Sequence, residues 1–111
     1  HGYYLDPVSP SLPTLPDQWE FRLIRVPLRN GISVFFLDPN DAAVSKYARG
    51  EPRDREWIQA GLAAGLLSAP VIESRFRDTT FLDARERDTA LGAFSQDTAA
   101  KPRRKPPKRK D

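Results

Sequence analysis

From Phe21 the chain alternates, with Phe21, Leu23 and Arg25 on one side and Arg22, Ile24 and Val26 on the other, which is the two-residue period of a strand. Arg29-Asn30-Gly31 then carries an Asn-Gly turn signal, and Ile32 to Leu37 is a second β-rich run. The two runs predict an antiparallel hairpin. A lone hairpin is marginal in water, so this one is expected to lie against helices or to belong to a larger sheet in a complete parent protein.

Downstream the period changes from two to nearly four. Asp38 is placed as an N-cap, with Pro39 at the first helical position and Asp41 in the first turn, where a carboxylate meets the positive helix end. Val44, Tyr47 and Ala48 form the apolar stripe of this helix, and Gly50 stops it. A second helix opens at Pro52 with Asp54 in its first turn, carries Trp57, Ile58, Ala60 and Leu62, and ends before Gly65. Ser68 opens a short third helix with Val71, Ile72 and Phe76. Asp83-Ala84-Arg85-Glu86 resembles a capping box for a fourth, which carries Ala90, Leu91 and Phe94.

The ends read differently. Pro7, Pro10, Pro13 and Pro16 recur every third residue, the polyproline II period, and predict an extended arm over 1–19. That arm either packs on its own domain through Tyr3, Tyr4, Leu12, Leu15 and Trp19 or presents a PxxP ligand, although no basic residue flanks the prolines. The fold class expected is α+β: the arm, a hairpin and about four helices over 20–95, and a disordered basic tail over 96–111.

Charge sharpens this division. Residues 1–100 hold 11 basic and 14 acidic side chains, whereas the last 11 residues hold seven basic and one acidic. The tail cations are Lys101, Arg103, Arg104, Lys105, Lys108, Arg109 and Lys110. Interleaved with prolines, they cannot bury a core. If all seven met duplex phosphates, log K would fall against log salt with a slope of roughly −6, with little sequence specificity. A localisation address, an acidic protein partner and a solvated tail without a partner are the alternatives.

Composition removes several chemistries. There is no cysteine, so disulfides, thiolate metal sites and thiol nucleophiles are absent. His1 is the sole histidine and stands at the chain's start, which excludes His-ligated metal centres and Ser-His-Asp arrangements. No Gly-rich phosphate loop is present, and no apolar run approaches the roughly 18 residues of a membrane span. A soluble, cytoplasmic chain is expected. It contains no methionine and opens on histidine, which predicts that these 111 residues are not a complete reading frame.

The remaining candidate chemistry lies between Leu37 and Trp57. Lys46 and Arg49 sit one helical turn apart on the flank of the apolar stripe. Arg53 and Asp54 open the next helix, whose free N–H groups make an anion position. Three cations and a helix start converging across a short connection would suit a phosphate. The same spacing equally suits a solvated face in which Lys46 or Arg49 pairs with Glu51 or Asp54. Asp38 and Asp41 are three apart and are explained by capping rather than by a cation.

The stretch LDPNDAAVSKYARGEPRDREWIQAGLAAGLL resembles the C-terminal half of bacterial nucleotidyltransferase-fold proteins, the group that includes the antitoxin-type minimal nucleotidyltransferases. In that group a strand ends in a Leu-Asp/Pro-x-Asp-Leu-type turn, a helix carries a lysine, and Arg-x-Lys-Asp opens the next helix. Asp41, Lys46 and Asp54 match these positions. GYY, the Pro-rich loop ending LPDQW and the RLIRVPL strand resemble the middle of the same domain, so the resemblance covers roughly residues 2–94. Arg53 stands where the group has lysine, which keeps charge but changes geometry, and Ala42 stands where relatives have leucine.

The resemblance implies that Lys46 neutralises nucleotide phosphates, with Arg49 and Arg53 the further phosphate-binding candidates that spacing sets beside it, while Asp41 and Asp54 support the lysine and cap helices. No catalytic or metal-ligating residue is assigned. The group's catalytic signature, a Gly-Gly or Gly-Ser turn followed by paired acids, is absent and is expected upstream of His1. A complete parent would use magnesium and a nucleoside triphosphate to transfer a nucleoside monophosphate to protein or nucleic acid, and this chain alone would be inactive. The competing expectation is a non-catalytic interaction protein that binds a partner such as a toxin through its body and nucleic acid through its tail.

Overall fold

The computed structural model describes residues 14–99. The predicted polyproline period up to Pro13 and the basic tail fall outside them. Thr14 to Gln18 runs beside the connection between the third and fourth helices, where Pro16 bridges Thr79 and the Asp17 N–H donates to the Asp78 carbonyl at 2.8 Å. Thr14 Oγ1 donates to Glu86 at 2.8 Å, so this end of the arm packs on its own domain.

The fold is α+β as expected, an antiparallel hairpin followed by four helices. The first strand is shorter than its alternation predicts. Trp19–Arg22 forms a 3-10 turn, and β1 covers only Ile24–Pro27. The reason is Arg22, whose guanidinium is drawn onto Asp41 and Asp17, which bends the chain before the ladder starts. β2, Ser33–Phe36, pairs with β1 in the register Ile24 with Phe36 and Val26 with Val34. Between them the Gly31 N–H donates to the Leu28 carbonyl, the Leu28 N–H to Ile32, and Gly31 sits at φ +87°, a type I turn with a glycine bulge.

α1, Pro39–Arg49, starts as its sequence predicts: the Asp38 side chain accepts from the N–H groups of Asn40 and Asp41, Pro39 occupies the first turn, and Gly50 closes the helix at φ +72°. α2, Pro52–Ala63, has a complete capping box between Glu51 and Asp54. Beyond it Gly65 takes a left-handed conformation, and Leu67 folds back so closely over Gly61 that a Cβ there would lie 2.7 Å from the leucine methyl. α3, Ala69–Arg77, is capped by Ser68, whose hydroxyl accepts from Val71. α4, Ala84–Ala99, runs four residues past Ser95. At its start only half of the expected box forms, because Glu86 accepts from Leu82 rather than from Asp83.

α1 is the hub and packs on α2, α3 and α4. Ala43, Val44 and Tyr47 from α1 meet Ile58, Leu67, Ile72, Phe76 and Ala90 in the core. Phe76 and Phe94 lie edge to face at 5.3 Å, and Tyr47 meets Phe94 the same way at 5.8 Å. No residue of either strand is buried, and the hairpin packs on no helix to a comparable extent. No helix among the described residues is long and apolar enough to cross a membrane.

Candidate functional site

The end of α1 and the start of α2 bring Lys46 and Arg49 onto one carboxylate. Arg49 grips Asp54 with two parallel bonds, Nε to Oδ2 at 2.9 Å and Nη2 to Oδ1 at 2.7 Å. Lys46 Nζ stands 3.8 Å from Asp54 Oδ1 and 5.0 Å above the Trp57 ring. The Glu51 N–H adds a bond of 3.1 Å to Oδ2. Burial on its own would raise the Asp54 pKa. The Arg49 hydrogen bonds, the Glu51 N–H and the charges of Arg49 and Lys46 outweigh it and hold the carboxyl below its usual range.

The paired alternative weighed for Lys46 and Arg49 is therefore present, and its carboxylate is Asp54. Arg53 is not part of the cluster: its side chain is exposed and lies 3.6 Å from Glu51. At the start of α2 Pro52 has no N–H, and the Asp54 amide is engaged by the helix's own capping box with Glu51. Asp41 takes Arg22 and Arg75 as its partners. It is fully buried and accepts from Arg22 Nε at 2.8 Å, Arg22 Nη2 at 3.1 Å and Arg75 Nη1 at 2.7 Å, so it joins the base of the hairpin to α1 and α3. Its bond to Asp41 raises the Arg22 pKa against the opposing effect of burial.

A third buried carboxylate carries no signal in the local sequence pattern. Asp97 on α4 accepts from Arg55 Nη2 at 2.6 Å and Nε at 3.2 Å, from Tyr47 Oη at 2.7 Å and from Gln59 Nε2 at 3.0 Å. Burial pushes its pKa up, but Arg55, Tyr47 and Gln59 together bring it below the usual range, while burial and then the bond to Asp97 push the Tyr47 hydroxyl well above its own. Arg55 and Gln59, one turn apart on α2, were the available hint of an acidic partner.

Magnesium does not fit these carboxylates. Both oxygens of Asp41, Asp54 and Asp97 already accept from side-chain donors, and no group of three His, Cys, Asp or Glu among the described residues is placed to hold a metal. The chain's Asp-x-Glu, Asp54-Arg55-Glu56, lies on a helix with Asp54 buried and Glu56 exposed, so the two acids diverge and cannot chelate one ion.

Beside the cluster a groove of about 540 Å³ runs between the arm, α1 and the start of α4, lined among others by Trp19, Ser45, Arg49, Thr80 and Glu86. The Arg49 side chain is 48% exposed at its edge, against 1% for Asp54 behind it. The model of a family described as nucleotidyltransferase of unknown function, DUF6036, matches residues 1–98. The chain belongs to that family. No curated protein and no solved structure matches this nucleotidyltransferase-family chain. The tail cations from Lys101 to Lys110 lie outside the described residues.

Proposed function

We propose that this chain supplies the phosphate-facing portion of a nucleotidyltransferase-like domain and binds a nucleotide along the groove beside α1. The observation that carries the reading is Arg49. Two cations share one carboxylate in the Lys46, Arg49 and Asp54 cluster, and the half-exposed arginine is among the residues that line a groove together with Trp19, Ser45 and Thr80. Family membership supports the nucleotide as the ligand class. Lys46 contributes charge from behind Asp54. Arg53, outside the cluster, adds a surface charge only.

The reading assigns binding, not transfer, to the described residues. Transfer of a nucleoside monophosphate with magnesium would rest on acids other than Asp41, Asp54 and Asp97. Titration of ATP, with and without magnesium, tests this by calorimetry on the chain as given and on a protein extended upstream of His1. Arg49→Gln is expected to weaken binding roughly tenfold, the loss of one charge-assisted contact. Absence of ATP binding in both proteins overturns the reading.

The exposed hairpin favours a second reading, an antitoxin-like interaction protein whose body binds a protein partner and whose tail holds nucleic acid. Deleting residues 101–111 would then abolish binding to unrelated oligonucleotides, and unchanged affinity would remove the tail from the account.

A further inference from the structure

A second cavity, of about 560 Å³, opens between α3 and α4 and takes in none of the three buried carboxylates. Its walls follow from helical spacing. Glu73, Phe76 and Arg77 of α3, and Arg87, Leu91 and Phe94 of α4, recur at three- and four-residue intervals, so each helix turns one stripe into it. Phe81 joins them from the connection between the helices, its ring 6.1 Å from that of Phe76, and Phe94 meets Phe76 edge to face. Leu91 is 38% exposed, so the cavity is reached from solvent, and its volume is in the range of small-molecule pockets.

Two guanidinium groups line this aromatic pocket with little to hold them. Among the described residues Arg77 pairs with Glu73 alone, at 3.9 Å and with both side chains more than half exposed. Arg87 uses its Nε on the neighbouring Asp88, at 3.2 Å. A guanidinium has five N–H donors, so most of these donors have no partner among the described residues. Exposed pairs of this kind are weak, and an incoming anion competes with them on good terms.

The charge and the walls select the occupant. The tail carries no aromatic side chain, and its seven cations would meet Arg77 and Arg87 as like charges. The arm reaches the domain on the other side of the connection 79–82, where side chains alternate: Thr79 and Phe81 line this cavity, whereas Thr80 and Leu82 line the groove beside α1 together with Thr14 and Leu15. Three phenyl rings offer edges and faces to a further ring, and two arginines beside them call for a negative group on it.

We propose that the cavity between α3 and α4 is a binding site for a small aromatic carboxylate, with its ring among Phe76, Phe81 and Phe94 and its carboxylate on Arg77 and Arg87. The site is separate from the nucleotide groove, and ATP that fails to bind leaves it standing. Calorimetry on the full chain with 2-naphthoate and its neutral counterpart 2-naphthamide tests it. Naphthoate is expected to bind roughly tenfold more tightly, the difference one charge-assisted contact makes, and the double variant Arg77→Gln, Arg87→Gln to reduce it to the affinity of the amide.

Leu91→Trp, which fills the cavity from its exposed side, is expected to abolish binding of both compounds while ATP titration stays unchanged. Because the two arginine changes touch only exposed side chains, their loss of the charge preference is decisive even where tryptophan disturbs the packing. Equal binding of the two compounds, no binding of either, or binding that survives Leu91→Trp in a folded protein overturns the proposal. So does displacement of naphthoate by ATP, which would merge the two sites, and so does binding that appears only after Tyr3→Ala with Tyr4→Ala, since the cavity would then belong to the chain's own arm.

Discussion

In the helical part of this chain, three buried carboxylates each meet an arginine that was folded onto them. In the hairpin, four apolar side chains on one face, Ile24, Val26, Leu28 and Ile32, stay exposed. Asp41, Asp54 and Asp97 tie α1 to the hairpin base, to α2 and to α4, and the spaces between are filled by Tyr47, Ile58, Ile72 and Phe76. The hairpin is held to this body at its root, through Arg22 and Asp41. The difference teaches where apolar surface is left uncovered: the helices bury Tyr47, Ile58, Ile72 and Phe76 against each other, while Ile24, Leu28 and Ile32 of the hairpin stay 45%, 45% and 56% exposed.

The comparison breaks most visibly at Tyr47. Tyr47→Ala empties a fully buried aromatic site and leaves Asp97 one donor short, an expected loss of about 3–5 kcal/mol in urea unfolding. Asp41→Ala follows at about 3 kcal/mol, because it strands Arg22 and Arg75 together, although water reaching both guanidinium groups softens the cost.

Acid sharpens the same contrast. Asp54 and Asp97 titrate below their unfolded values, so the stability they contribute is present above about pH 4 and lost as pH falls through their depressed folded pKa values. Circular dichroism against pH is expected to show helix loss in that acid range, and Asp97→Asn to weaken the pH dependence there. At the small end, Ile32→Thr on the hairpin tip is expected to change stability by no more than about 0.5 kcal/mol, since its side chain is already in water. A large loss there would mean that the hairpin face is covered in solution.

What was legible in the sequence was local. Asp38 with Pro39, Gly50, Gly65 and Ser68 mark helix ends through bonds that span only a few residues, and Asn30-Gly31 turns the hairpin by the same short-range logic. Asp54 belongs to both worlds, a first-turn acid that also gathers Lys46 and Arg49 from the preceding helix. The sequence places Asp41 as a first-turn acid and, by resemblance, a support for Lys46, yet the arginines it binds stand 19 and 34 residues away. Asp97 lies 42 residues from Arg55 and 50 from Tyr47, a distance no periodicity reports. The 3-10 turn at Trp19–Arg22 was hidden for the same reason, because Arg22 leaves the strand pattern to reach a carboxylate on α1.

Hydrogen exchange on the full chain tests the contrast most directly. The amides of α1 around Val44 and Tyr47 are expected to open only with global unfolding, while the Ser33 and Phe35 amides exchange close to the rate of an unstructured peptide. Protection of Ser33 and Phe35 comparable to that of α1, in the isolated chain and at every concentration, would show that the outer edge of β2 is already occupied and would contradict the account.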